Sequence, residues 1–136
     1  MPLRTRVMDA TAVRMRRDEA EAYYEVAVLC AGSTSHADWK AAGSNAVLGG
    51  IAAADAICGA VLGQHHVGED HAQARRLLDT ACSPDRQPGN QLKRLTDEKT
   101  NFQYSSARVT REQTSRLVLA LERLIVTMRQ KTDPSR

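Results

Sequence analysis

Apolar residues recur at three- and four-residue intervals along most of this chain, the spacing of a helix face rather than the alternation of a strand. Ala20, Tyr23, Tyr24, Ala27 and Val28 make the first stripe, with Asp18, Glu21 and Glu25 off it, and predict a helix from about Thr11 to Cys30. Ala31-Gly32-Ser33-Thr34 closes that helix, with Gly32 available for the left-handed C-terminal position. Ser35 suits the N-cap of a second helix over about 36 to 63, with Asp38 in its first turn. In this helix one stripe reads Leu48, Ile51, Asp55, Cys58, Leu62 and its neighbour reads Val47, Gly50, Ala54, Ile57, Val61. Apolar or small residues thus cover most of the circumference, the mark of a helix touched on several sides. Ala42, Ala46, Gly50 and Ala54 repeat every fourth position and permit another helix to approach closely.

After a connection at 64–68, Ala74, Leu77, Leu78 and Ala81 predict a shorter third helix starting at Glu69 or Asp70. Residues 83–90, with two prolines and a glycine, read as a loop. A fourth helix is expected from about Gln91 to Phe102 or Tyr104, with Leu92, Leu95, Lys99 and Phe102 inward. Thr110 and Gln113 form a capping box that opens the last helix, which runs to about Lys131 on Leu117, Val118, Leu121, Leu124, Ile125 and Met128. The reading is an all-α, up-and-down bundle of four to five helices around the second, small-residue-rich one, as a single domain over 1–136. Residues 1–10 are expected to form a basic arm and 132–136 a frayed tail.

Composition agrees: 20 of the 136 residues are alanine and only 4% are aromatic, which is poor material for a sandwich or barrel. Cys30, Cys58 and Cys82 are an odd number without a CxxC pair, so neither a disulfide framework nor a zinc ribbon is indicated and a cytoplasmic protein is expected. The N-terminus lacks the apolar core of a signal peptide. The one long apolar run, 46–63, holds Asp55, which argues against a membrane span. Fifteen arginines against four lysines, with the alanine excess, suggest a GC-rich bacterial genome. The net charge of +3 is unevenly spread. Five arginines and one aspartate give residues 1–17 a charge of +4; eight acids and one lysine give 18–72 a charge of −7. Thirteen bases and seven acids leave 73–136 at +6, a half suited to phosphate or an acidic partner, or simply to packing against the acidic helices.

Two charges occupy stripe positions that should be apolar, Asp55 and Lys99. A buried charge needs a partner or a route to water. They pair with each other, or Asp55 takes His71 or an arginine; otherwise Lys99 snorkels outward and Asp55 caps a turn. His65, His66 and His71, with Glu69 and Asp70, are the candidate metal ligands, yet no second ligand segment accompanies them, so neither a metal nor another cofactor is expected. Phosphate-cradling, dinucleotide-binding, metalloprotease and nucleophile-elbow motifs are lacking. Phe102-Gln103-Tyr104, close to Lys99 and Arg108, is the one aromatic cluster beside cations, the pattern used to stack single-stranded nucleic acid.

The central helix ending AADAICGAVLG (53–63), a connection leading to GEDHAQARRLL (68–78), KRLTDEKTNFQYS (93–105) and an amphipathic closing helix together resemble a HEPN domain over about residues 18–130. The resemblance implies a helical bundle that dimerises and, in many members, an RNase of toxin–antitoxin or defence systems working beside a nucleotidyltransferase. The RNase signature, an Arg followed four to six residues later by His, falls here on Lys99 and Tyr104. Lysine lacks the bidentate fork that grips phosphate, and a tyrosine with an ordinary pKa near ~10 is a poor base at neutrality. The expected function is therefore a non-catalytic module binding RNA or a cognate protein through Asp55, Lys99, Phe102, Tyr104 and Arg108. The alternatives are an antitoxin-like protein-interaction subunit, and a divergent, metal-independent ribonuclease with Lys99 and Tyr104 as its catalytic candidates. A homodimer is expected, supported by Leu119 and Val126, which widen the apolar face of the last helix beyond one core contact.

Overall fold

The computed structural model describes residues 3–133 and is an all-α helical bundle with one small two-stranded ribbon. In chain order the elements are β1 (Thr5–Val7), α1 (Ala10–Ala31), α2 (His36–Leu62), β2 (Gln64–His66), α3 (His71–Cys82), α4 (Gln87–Asp97), α5 (Lys99–Gln103) and α6 (Arg111–Lys131). Helix α2 is the hub, packed against α1, α3, α4, α5 and α6. Its length and composition would suffice to cross a membrane, but 61% of its most apolar window is buried against the rest of the chain. That burial explains the apolar circumference without lipid.

Each long helix starts on a side-chain cap that satisfies an otherwise orphaned N–H. Asp9 accepts from Ala12 N, Ser35 from Asp38 N and Asp70 from Gln73 N, while Thr110 and Gln113 close a reciprocal capping box. The expected left-handed glycine sits elsewhere. Gly32 is right-handed at φ −77°, and Gly63, ending α2, takes φ +72°.

The small residues of α2 serve several neighbours. A Cβ on Gly50 would come within 2.5 Å of Leu95, so that stripe receives α4. One on Gly49 would meet Tyr23 Cβ at 3.1 Å, and one on Gly59 would meet Val13 at 2.8 Å. Gly49 and Gly59, with the buried Ala52 and Ala56 between them on the same helix face, thus lie toward α1, a face that the every-fourth-residue pattern did not single out. Ile57, Leu78, Leu92, Leu95, Leu121, Leu124, Ile125 and Met128 fill the core.

Four further expectations are corrected. Residues 5–7 are not a loose arm: they pair antiparallel with β2, Thr5 opposite His66 and Val7 opposite Gln64, and Met8 is buried beside Gly59. Met1 and Pro2 lie outside the described residues. The loop after α3 is shorter than expected because Pro88 enters at the start of α4, where its missing N–H costs nothing. The expected fourth helix is broken at Glu98, whose N–H turns back to Leu95 and Thr96 carbonyls before α5 begins. That break swings Phe102 under α2 against Gly43. At the C-terminus Thr132 is tied down, its hydroxyl donating to Met128 O at 2.7 Å. Residues 134–136 of the predicted tail lie outside the described residues.

Candidate functional site

Asp55 projects from a part-buried face of α2 toward α1 and the ribbon. Arg16 Nε donates to Asp55 Oδ2 at 3.0 Å, and its Nη1 also reaches Glu19 at 3.2 Å. His65 Nδ1 lies 3.8 Å from the other carboxylate oxygen. Burial pushes the Asp55 carboxyl above its ordinary value, and Arg16, followed by His65 and His66, pulls only partly the other way. Of the partners open to Asp55, the arginine is the one realised. Arg16 was legible in principle: with Ala20, Tyr23 and Ala27 it falls on the inner stripe of α1, a charge aimed at the core.

Lys99 goes to a different partner. At the N-terminus of α5 it places its ammonium 6.0 Å from the centre of the Tyr104 ring. Tyr104 is 74% exposed, so the ring offers solvent an apolar face beside a cation. The segment behind it is pinned from α2: Lys40 Nζ donates to the carbonyls of Ser105 and Ala107, and His36 Nε2 accepts from Val109 N at 3.0 Å. Gln103 reaches Ser44 O from the same side. Arg108 is exposed within this anchored segment. Phe102 does not belong to the surface. It is 4% exposed in the core cluster and seated against Gly43 of α2, so its role as a binding residue is withdrawn.

The three histidines do not converge on a metal site. No group of three or more His, Cys, Asp or Glu side chains is placed to hold an ion among the described residues. His65 turns to Asp55, and Nδ1 of His65 and Nε2 of His66 are buried without hydrogen-bond partners. His71 opens α3, where burial, then the Lys99 and His66 charges, hold its pKa below the ordinary value, so it is neutral at pH 7. Burial, then the Asp55 charge, pushes the Cys58 thiol up to about 12, which makes it inert as a nucleophile.

Beyond His71, along the α3–α4 pair, Arg75, Arg76, Arg86 and Lys93 line a cleft of about 390 Å³. The sequence carried these bases only as part of a positive half. Their clustering depends on the hairpin that folds α4 back on α3. A second feature invisible to the pattern is Trp39, whose indole donates to Ser33 O at 2.7 Å while Arg111 stacks 5.4 Å from its ring.

No family model matches this chain, and neither a curated protein nor a solved structure is significantly similar to it.

Proposed function

We propose that this protein is a non-catalytic, HEPN-like module that binds single-stranded RNA in the cytoplasm. The observation that carries the reading is the Tyr104 ring, exposed to solvent with the Lys99 ammonium over it and Arg108 on the anchored segment that follows. An aromatic face flanked by cations stacks any base and meets the adjoining phosphates. Lys99 is engaged with the ring and no imidazole hydrogen-bonds to Tyr104 among the described residues, so we read the pair as supplying contact rather than proton transfer.

Fluorescence anisotropy of a labelled single-stranded RNA tests this. Binding should weaken as salt rises. Tyr104→Ala should cost about 1–3 kcal/mol, the worth of one base–aromatic stack. Binding indifferent to salt, Lys99→Ala and Tyr104→Ala would end the RNA reading. Cleavage of a mixed RNA pool by the purified protein would replace it with the ribonuclease.

A second reading, a subunit that docks another chain, is favoured by exposed Val28 and Leu29 on α1 and Leu119 and Val126 on α6. The homodimer belongs here, and sedimentation showing a monomer at micromolar concentration would remove it.

A further inference from the structure

We propose that the α3–α4 cleft binds a small phosphorylated sugar, its phosphate monoester held by Arg75, Arg76 and Arg86 and one sugar hydroxyl by Asp79. The cleft, about 390 Å³, lies at the small end of the range for ligand pockets, large enough for a sugar phosphate.

Charge selects the anion. Of the charged groups lining the cleft, Lys93 and Asp97 neutralise each other through a 2.6 Å ion pair. Three guanidinium groups then face one carboxylate, Asp79, an excess of two positive charges. A phosphate monoester, at about −1.5 to −2 near neutrality, matches that excess, whereas a diester with one charge leaves half of it unmet. Guanidinium forks also suit the tetrahedral array of phosphate oxygens.

The side chains are positioned but unspent. Arg75 is held by Nη2 donating to Asn90 Oδ1 at 2.6 Å, while its Nε is buried without a partner. Asp79 follows Arg75 by one helical turn, yet the two form no ion pair among the described residues. Asp79 is seated instead on Gly89, where a Cβ would collide with Oδ1, and that oxygen has no hydrogen-bond donor. The guanidinium groups of Arg76 and Arg86 make no hydrogen bond or ion pair among the described residues. An acceptor without a donor, fixed among donors without acceptors, fits a ligand that carries both a hydroxyl and an oxyanion. Lys99, Tyr104 and Arg108 do not line this cleft, so the proposal stands apart from the RNA reading.

Isothermal titration of the full chain with ribose 5-phosphate, inorganic phosphate, dimethyl phosphate and ribose is the test. Ribose 5-phosphate should saturate a single site, inorganic phosphate should bind about tenfold more weakly, and the diester and the free sugar should not bind. Arg76→Gln with Arg86→Gln should weaken ribose 5-phosphate by about tenfold or more without changing the melting curve, since both side chains are exposed. Asp79→Asn should shrink the advantage of ribose 5-phosphate over inorganic phosphate. Equal affinity for the two, no saturable binding, or saturation unmoved by the double substitution would overturn the proposal.

Discussion

Replacing Arg16 with methionine removes the guanidinium that holds Asp55, and the consequence can be worked out in advance. Losing one partner of a fully buried ion pair costs roughly 3–5 kcal/mol, whereas a surface pair is worth about 0–1. Here the two side chains are 26% and 16% exposed, so water reaches the abandoned carboxylate in part. A cost of about 2 kcal/mol follows. Unfolding entropy for a chain of 136 residues is on the order of 0.3 kcal/mol/K, so Tm should fall by about 7 °C. Circular dichroism melts and urea titrations read this directly. Two further measurements isolate the cause. The Arg16→Met cost should largely vanish in an Asp55→Asn background, and Arg16→Met with Asp55→Leu should return to within about 1 kcal/mol of the parent. The sign of the pH effect is also fixed. Asp55 carries a raised folded pKa, so between the unfolded value of 3.8 and that raised value the folded state holds more protons, and lowering the pH through this window stabilises it. Without Arg16 the folded pKa rises further, so the deficit of Arg16→Met should shrink as pH falls from neutrality. An equal cost in the Asp55→Asn background, with a deficit independent of pH, would refute the reasoning. Glu19→Gln serves as the control for the lesser contact.

Gly43→Ala should destabilise the protein by about 1–3 kcal/mol, because its Cβ would overlap the Phe102 ring; Phe102→Leu in the same chain should relieve part of the cost in urea unfolding. Thr110→Ala opens the capping box of α6 and should cost about 1 kcal/mol in the same assay. His71 has a lowered folded pKa, so the unfolded chain binds the extra proton and stability is lost as pH falls from 6.5 through that lowered value. His71→Gln should flatten this part of the pH–stability curve.

What was readable in the sequence follows from range. The long helices were legible because Leu117 to Met128 or Val47 to Val61 repeat over several turns, and Ser35 and Thr110 are local cap signals. Three-residue strands give no period to detect, so the pairing of Thr5 with His66 had no local trace. Phe102 was read both ways, inward by its stripe position and outward by its neighbours Gln103 and Tyr104, and its seat against Gly43 decides between them. Lys99 and Tyr104 were singled out together because the family resemblance places the RNase signature on them and because they fall in the one aromatic cluster beside cations. The Arg75–Arg86 cleft was not, since eleven residues and a helical turnaround separate its two sides.

The seam where α1 meets α2 is lined on α2 by Gly49, Ala52, Ala56 and Gly59, residues with no rotamers to exchange. On the α2 side such a contact has no soft degree of freedom. It behaves as a rigid spacer, fixing how far apart the two helix axes stand and therefore how far Arg16 must reach to Asp55. A bulkier residue at Gly59 meets the Met8 thioether and Val13, and one at Gly49 meets the Leu121 methyls and Tyr23 Cβ. Met8 and Leu121 can turn aside, but Tyr23 Cβ yields only if α1 moves, so the reach of the Arg16–Asp55 pair becomes a gauge of packing one to two turns away.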